Sequence, residues 1–213
     1  MAPDDLDLDS VDLVLRTTRS VRRKLDYARP VEPELIEACI EIATQAPTGR
    51  NAQAWRFLVL TEPAQKRALG ELYRRAFAHY AGLRAAEPFA EPIKATYQLL
   101  ADRLHEMPVL ILVCIEGRPE ALSVAQQVAF YGSVLPAAWS LMLALRARGL
   151  GSTWTSLHLL HEEEAARALG IPEGVTQTVL LPVGYMRDAV LRPAERHAPR
   201  EVTYWNRWGE KRE

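Results

Sequence analysis

An α+β chain, with helices flanking a central sheet, is the fold class the sequence predicts, and three observations carry it. The run Val109-Leu-Ile-Leu-Val-Cys-Ile115 is apolar without interruption and of strand length, the pattern of a strand covered on both faces. Arg56-Phe-Leu-Val-Leu60 and Thr176–Tyr185 read as further strands, with Pro182 near the exit of the second. Helical patterns lie between these runs, and the longest, Gln126–Arg148, is apolar nearly all round through Val128, Phe130, Val134, Leu135, Trp139, Leu141, Met142 and Leu145. A helix without a polar face is buried on several sides, so either it is the central core helix or a partner chain covers it. Pro136 should bend it.

The remaining elements follow in order. Residues 1–9 are expected to be a loose acidic arm, and Ser10 is placed to cap a short helix carrying Val11, Val14 and Leu15. Val31-Glu-Pro33 opens a helix to about Gln45, proline suiting its first turn, with Leu35, Ile36, Cys39, Ile40, Ile42 and Ala43 as its apolar face. Thr61-Glu-Pro63 opens another to about Tyr80, with Glu71, Arg74 and Arg75 on its polar side. In 81–106 the pattern breaks at Pro88 and Pro92 and resumes as a helix over Ile93–Glu106; the segment reads as a mobile flap or as an ordinary surface excursion. Gly149 and Gly151 end the long helix ahead of a strand, and Glu162–Glu164 looks like the acidic first turn of a helix.

Composition narrows the function classes. A chain of 213 residues fits one generous domain, taken here as 1–213, and 48% hydrophobic content suffices for a core. Lys+Arg 26 against Asp+Glu 27 gives a net charge of -1, so no basic field points to nucleic acid. Cys39 and Cys114 sit in apolar contexts and read as buried thiols of a reducing compartment. The acidic start is unlike a signal peptide and no apolar run is expected to span a bilayer, so a cytoplasmic protein is expected. His158 and His161 stand three apart without a further histidine or cysteine nearby, too few ligands for a metal site. Gly149-Leu-Gly151 lacks the Gly-x-Gly-x-x-Gly spacing of a dinucleotide loop.

Two stretches carry chemistry. Arg16–Lys24 holds five cations in nine residues with Thr18 and Ser20 interleaved; it reads as a solvated charge run or as an anion site, since hydroxyls and guanidinium forks suit phosphate or a ring carbonyl. Ala46-Pro-Thr-Gly-Arg-Asn-Ala-Gln-Ala-Trp55 packs the Thr48 hydroxyl, the Arg50 guanidinium, the Asn51 and Gln53 amides and the Trp55 indole into one short connection. Amides donate and accept, so they can read a heteroaromatic edge of alternating N–H and C=O groups; they equally suit a solvated turn.

Together, Thr18-Arg-Ser-Val-Arg22 and Ala46-Pro-Thr-Gly-x-Asn-x-Gln-x-Trp55 resemble the flavin-dependent nitroreductase family, whose pattern runs Arg-Arg-Ser-x-Arg and then Ala-Pro-Ser-x-x-Asn-x-Gln-Pro-Trp. The resemblance covers nearly the whole chain. Thr18 stands for the first arginine, Thr48 for the serine and Ala54 for the proline. It implies a nitroreductase-like fold with a central mixed sheet of four or five strands, assembled as an interlocked homodimer. It also implies bound FMN, NAD(P)H as donor and a small-molecule acceptor such as a nitroaromatic, a quinone or an activated alkene. On the same ground Thr18, Arg19, Ser20 and Arg22 are expected at the flavin, with Arg19 and Arg22 at its pyrimidine edge. Pro47, Thr48 and Asn51 are expected to cover it from the second subunit, and Gln53 is expected among the cofactor-binding residues. Trp154, Thr155 and Ser156 are expected over the ring, and Arg196 at the phosphate, completed by a neighbour of uncertain register (Glu195 or His197) or by Arg192. No side chain is expected to act as acid or base. The dehalogenating branch of the family grips an amino-acid zwitterion with lid Glu, Tyr and Lys residues; Glu91, Lys94 and Tyr97 are present here, but their spacing does not match that set.

Overall fold

The computed structural model describes residues 6–83 and 90–212. Contacts group the chain into two compact units: Thr18–Ala189, and a smaller unit built from the two ends, up to Thr17 and from Val190 onward.

The larger unit is organised on a sheet of β1 (Trp55–Leu60), β2 (Val109–Glu116), β3 (Leu150–Ser152) and β4 (Val175–Tyr185), in the order β1-β2-β4-β3. All three ladders are antiparallel, which corrects the expected mixed sheet; among the described residues the one parallel pairing is the isolated bridge between Gly117 and Val175. An uninterrupted apolar run marks burial on both faces and says nothing of strand direction. In β2, Ile111 and Val113 join one core with the helices behind them, and Leu110 and Leu112 on the other face are fully buried too. Pro182 lies inside β4 toward its exit, as expected, opposite Leu110. Its carbonyl accepts the Thr153 N–H where β3 has already ended, so the missing proline N–H breaks only the last bond of that ladder.

Helix α2 (Pro33–Ala43) starts with proline in its first turn and buries Ile36, Cys39 and Ala43 in the core behind the sheet. Ile42, expected on that face, is exposed. The single bent helix expected over 126–148 is two helices, α5 (Val124–Gly132) and α6 (Leu135–Ala147), separated at Ser133 and Val134. Pro136 causes the separation: inside a helix it would remove a backbone donor and press on the carbonyl four residues back, so the chain stops and restarts with proline in the new first turn. α5 is entered through a capping box in which Ser123 and Gln126 satisfy each other's backbone N–H. α6 buries Ala137, Ala138, Leu141, Met142 and Leu145 in the core. By length and composition the stretch Val124–Ala147, 24 residues, is apolar enough to cross a membrane, but it is divided between two helices, and the buried face of α6 accounts for much of that character. On the other side of the unit lie α3 (Pro63–Leu83), α4 (Glu91–Arg103) and α7 (Glu162–Leu169). Cys39 and Cys114 are buried free thiols, and burial pushes Cys114 up to about 12.

In the smaller unit, α1 (Leu8–Thr17) begins before Ser10, and Asp7 caps it by accepting from the Ser10 amide at 3.3 Å and its hydroxyl at 2.5 Å. An ionised carboxylate is the stronger acceptor for the first-turn donors, which moves the helix start earlier than the serine suggests. Leu8, Val11, Leu13 and Leu15 are exposed, as are Val202, Trp205 and Trp208 in the tail. The Tyr204 and Trp208 rings lie 4.8 Å apart.

Candidate cofactor site

Residues 18–27 form an irregular segment laid along the free edge of β3 and the end of β4. The Val21 amide donates to Ser152 O at 2.9 Å, Thr153 Oγ1 donates to Val21 O at 2.5 Å, and the Trp154 amide donates to Ser20 Oγ at 3.0 Å. Farther on, the Asp26 amide donates to Tyr185 O at 2.7 Å and Leu25 bridges Met186. Two glycines make this approach possible. A Cβ on Gly151 would stand 2.7 Å from Leu25 Cδ2 and 2.8 Å from Met186 Cγ, and one on Gly184 would stand 3.1 Å from Asp26 O. The segment thereby sets Ser20 against Trp154, with Thr18, Arg19 and Arg22 on the same stretch.

Arg22 is the polar centre of this half-site. It is half-buried, its Nε is buried without a hydrogen-bond partner, and its guanidinium lies 4.6 Å from the Tyr97 ring centroid. Next to it the Tyr73 hydroxyl is 2.9 Å from Thr155 Oγ1. Burial raises the Tyr73 phenol above its ordinary value, against the opposing pull of the Thr155 bond and the Arg22 charge. Thr155 continues the sheet as an isolated pairing with Leu180, its amide and carbonyl both bonded to that residue. Trp154 is half-buried against the core and Ser156 is exposed. Tyr73 gives no signal in the sequence, since it falls among Leu69, Leu72, Ala76 and Phe77 on a face that reads simply as core; Tyr97, weighed there only for a zwitterion grip, meets Arg22 instead.

Helix α4 is fastened to the same segment. Arg23 Nη2 donates to Pro92 O at 2.5 Å, and Arg103 lies 4.0 Å over the Tyr27 ring while pairing with Glu106 at 2.6 Å. Arg103 is therefore engaged on one face by Tyr27 and along its edge by Glu106. Of the possible zwitterion grip, Lys94 pairs with Glu91 at 3.6 Å and Tyr97 rests on Arg22.

The second stretch folds as a tight turn ahead of β1. Arg50, Asn51 and Gln53 have φ of 54°, 52° and 51°, three non-glycine residues within four positions in a region that side chains seldom adopt. The turn is held by Asn51 N–H to Thr48 O at 3.1 Å, Gln53 Nε2 to Asn51 Oδ1 at 3.3 Å, and Gly49 N–H to Ser133 Oγ at 3.0 Å. Pro47, Asn51 and Gln53 are exposed and Thr48 half-buried; Trp55, counted with the polar groups in the sequence, is buried core. Strain of this kind collects where a backbone is shaped for a ligand.

Within one chain the two stretches do not meet. The turn precedes β1 at one edge of the sheet and Ser20 lies along β3 at the other, three strand spacings away. Trp55 is level with Thr176 of β4, whereas Thr153 is level with Pro182. Three spacings of ~4.8 Å and six residues at ~3.3 Å put Trp55 and Thr153 roughly 25 Å apart, and Ser20 lies on the far side of β3. Arg196 lies in the smaller unit, exposed, with Nη1 donating to Glu195 O. A cleft of about 710 Å³ between Arg118, Arg167 and Pro172 contains none of the predicted residues. His158 is fully buried with both ring nitrogens unpartnered, and burial lowers it to about 4. His161 Nδ1 meets Glu164 at 2.9 Å.

The sheet order, the core helices behind it and the segment along β3 define the class: an α+β protein of nitroreductase-like fold. That fold is shared with the FMN-dependent nitroreductase NfnB from Mycobacterium smegmatis in complex with NADPH, at a TM-score of 0.71 and 21% identity, over 94% of this chain and 99% of that one. It is shared also with oxidized iodotyrosine deiodinase bound to FMN and 3-iodo-L-tyrosine, at a TM-score of 0.69 and 23% identity, over 92% of this chain and 100% of that one. The chain belongs to the nitroreductase family, whose model matches residues 15–185. A relative in Thermus thermophilus, an NADH dehydrogenase, is 33% identical over 88% of this chain and 91% of its own length.

Proposed function

We propose that the chain is an FMN-dependent oxidoreductase that takes electrons from NAD(P)H and delivers them to a nitroaromatic, a quinone or an activated alkene, as a homodimer in a reducing compartment such as the cytoplasm. The observation that carries this reading is the half-site at the β3 edge: a buried, unpartnered Arg22 Nε beside a Ser20 hydroxyl fixed to the Trp154 amide. An aromatic cofactor with anionic edges fits these donors. Bound FMN supplies the hydride and electron chemistry.

The protein's residues bind and orient. Arg19 and Arg22 offer positive charge to the pyrimidine edge, where preorganised donors favour the more negative form of the ring. Thr18 and Ser20 offer hydroxyls, Trp154 to Ser156 line the ring, and Arg196 takes the phosphate. Pro47, Thr48, Asn51 and Gln53 come from the second subunit, because within one chain Trp55, just after them, lies roughly 25 Å from Thr153, with Ser20 on the far side of β3. The exposed apolar residues Val124 and Val128 of α5 and Trp139 of α6 supply a surface for that subunit, and the aromatic tail packs on it as well.

The chain shows no second nucleotide fingerprint, so donor and acceptor share one cavity and must alternate. The test is a visible spectrum of the purified protein before and after NADPH under nitrogen, followed by initial rates at several fixed acceptor concentrations. Yellow protein, bleaching by NADPH and parallel double-reciprocal lines are expected. A preparation that is colourless and takes up no FMN overturns the reading, and a flavin that neither NADH nor NADPH bleaches makes the chain a flavin carrier. Intersecting lines reveal a separate donor site. Consumption of the flavin itself under oxygen, or reductive dehalogenation in place of nitro or quinone reduction, would assign the alternative chemistries of this fold.

A further inference from the structure

The bond between Tyr73 and Thr155 joins two buried hydroxyls with unequal prospects. Tyr73 is 1% exposed and Thr155 8%. Each hydroxyl carries one hydrogen, and one bond uses only one of the two. Thr155 Oγ1 has no hydrogen-bond partner besides Tyr73 among the described residues, and Tyr73 Oη none besides Thr155. If Thr155 donated, the phenol hydrogen would be stranded in the interior, an unmade bond with its full desolvation cost. If Tyr73 donates, the spare hydrogen belongs to Thr155, the residue that reaches the surface. The positive charge of Arg22 beside the phenol acts in the same direction, favouring a phenol dipole whose oxygen faces the guanidinium and whose hydrogen faces away.

We propose that Tyr73 is a positioning residue for Thr155: its phenol donates to Thr155 Oγ1 and so turns the threonine's own hydrogen outward, as a donor to an acceptor atom of the ligand held beside Ser20 and Arg22. This rests on the reading of that ligand as FMN. The threonine is then a preset donor rather than a free rotor, and it responds to how much negative charge the ring carries. Oxidised and reduced FMN differ in that respect, so the pair should set the ratio of their affinities, with no proton transferred and no bond made.

The test measures FMN affinity in both oxidation states by spectral titration, together with the midpoint potential of the bound flavin under nitrogen. Tyr73→Phe removes only the phenol oxygen and Thr155→Val only the hydroxyl. Each is expected to change the ratio of reduced to oxidised affinity about two- to tenfold, and the double variant no more than either alone. Thr155→Ser should keep the wild-type ratio. A ratio that moves in Thr155→Val but not in Tyr73→Phe overturns the positioning role and leaves Tyr73 as packing. A ratio unchanged in every variant, with FMN still bound, overturns the threonine contact but leaves the flavin reading standing. Failure of the wild type to bind FMN removes both. Should Tyr73→Phe not fold, equal ratios for the Val and Ser variants at Thr155 overturn the proposal on their own.

Discussion

Gly151→Ala tests whether the segment bearing Ser20 and Arg22 is held by close approach to β3. The new Cβ would meet Leu25 Cδ2 at 2.7 Å and Met186 Cγ at 2.8 Å. Carbon atoms in good contact stand ~3.5–4.0 Å apart, so both neighbours must retreat by roughly 1 Å. Leu25 is fully buried and has nowhere simple to go. Overpacking of this kind costs about 1–3 kcal/mol, set against about 0.4–1 kcal/mol gained by stiffening the unfolded chain. The net effect should be destabilising, a fall of roughly 2–8 °C in Tm for a chain of this size. Function should suffer with stability: lifting Leu25 strains the Val21–Ser152 and Trp154–Ser20 bonds, so FMN should bind more weakly. Gly132→Ala is the control, since nothing lies within 4 Å of its Cβ. Thermal melts with and without FMN, alongside flavin titration, make the measurement. A Gly151→Ala protein as stable as the wild type with unchanged FMN affinity would refute the argument.

Other perturbations separate the parts of the site. Arg196→Ala should weaken FMN about ten- to a hundredfold, as loss of a charge-assisted contact does, and leave riboflavin binding unchanged; equal losses in titrations of the two would place Arg196 away from the phosphate. Trp139→Asp should abolish both dimer and colour, and a monomer by light scattering that keeps stoichiometric FMN would separate assembly from cofactor binding. His158 stays neutral when folded down to about pH 4, whereas the unfolded chain takes up its proton near 6.5. Its contribution is thus intact above pH 6.5 and is lost as pH falls toward 4, by up to about 3 kcal/mol. Urea unfolding at several pH values should show a shallower acid decline for His158→Gln than for the wild type, and parallel declines would exclude the effect.

The elements were legible where residue chemistry acts locally. Pro33 in a first turn, the all-apolar β2 and the acidic start of α7 announce themselves. Strand direction was not legible, because β2 is covered on both faces whichever way its neighbours run. Pro136 gave the position of the break between α5 and α6, but a proline fits a bend and a restart alike. At the candidate site, the proposed binding residues were visible by type as Thr18–Arg22 and Pro47–Gln53, and the residues that hold them in place were not. Tyr73 and Tyr97 act through tertiary contacts with Thr155 and Arg22, and no spacing in the sequence joins positions 82 or 75 apart.

The sheet order has a consequence for how the chain is made. No two of its strands are joined by a tight hairpin: β1 and β2 are separated by α3 and α4, and β2 and β4 by α5, α6, β3 and α7. Such pairings have high contact order and form slowly. On a ribosome adding about 5–20 residues per second, β2 waits roughly 3–14 s between its own completion and that of β4. Through that interval Val109–Ile115, which ends wholly buried, has β1 on one edge and nothing on the other. An apolar strand with a bare edge is a template for pairing with other chains. The central strand of the finished sheet is therefore the nascent chain's most exposed aggregation hazard, and slower growth or chaperone cover during that window should raise the yield of folded protein.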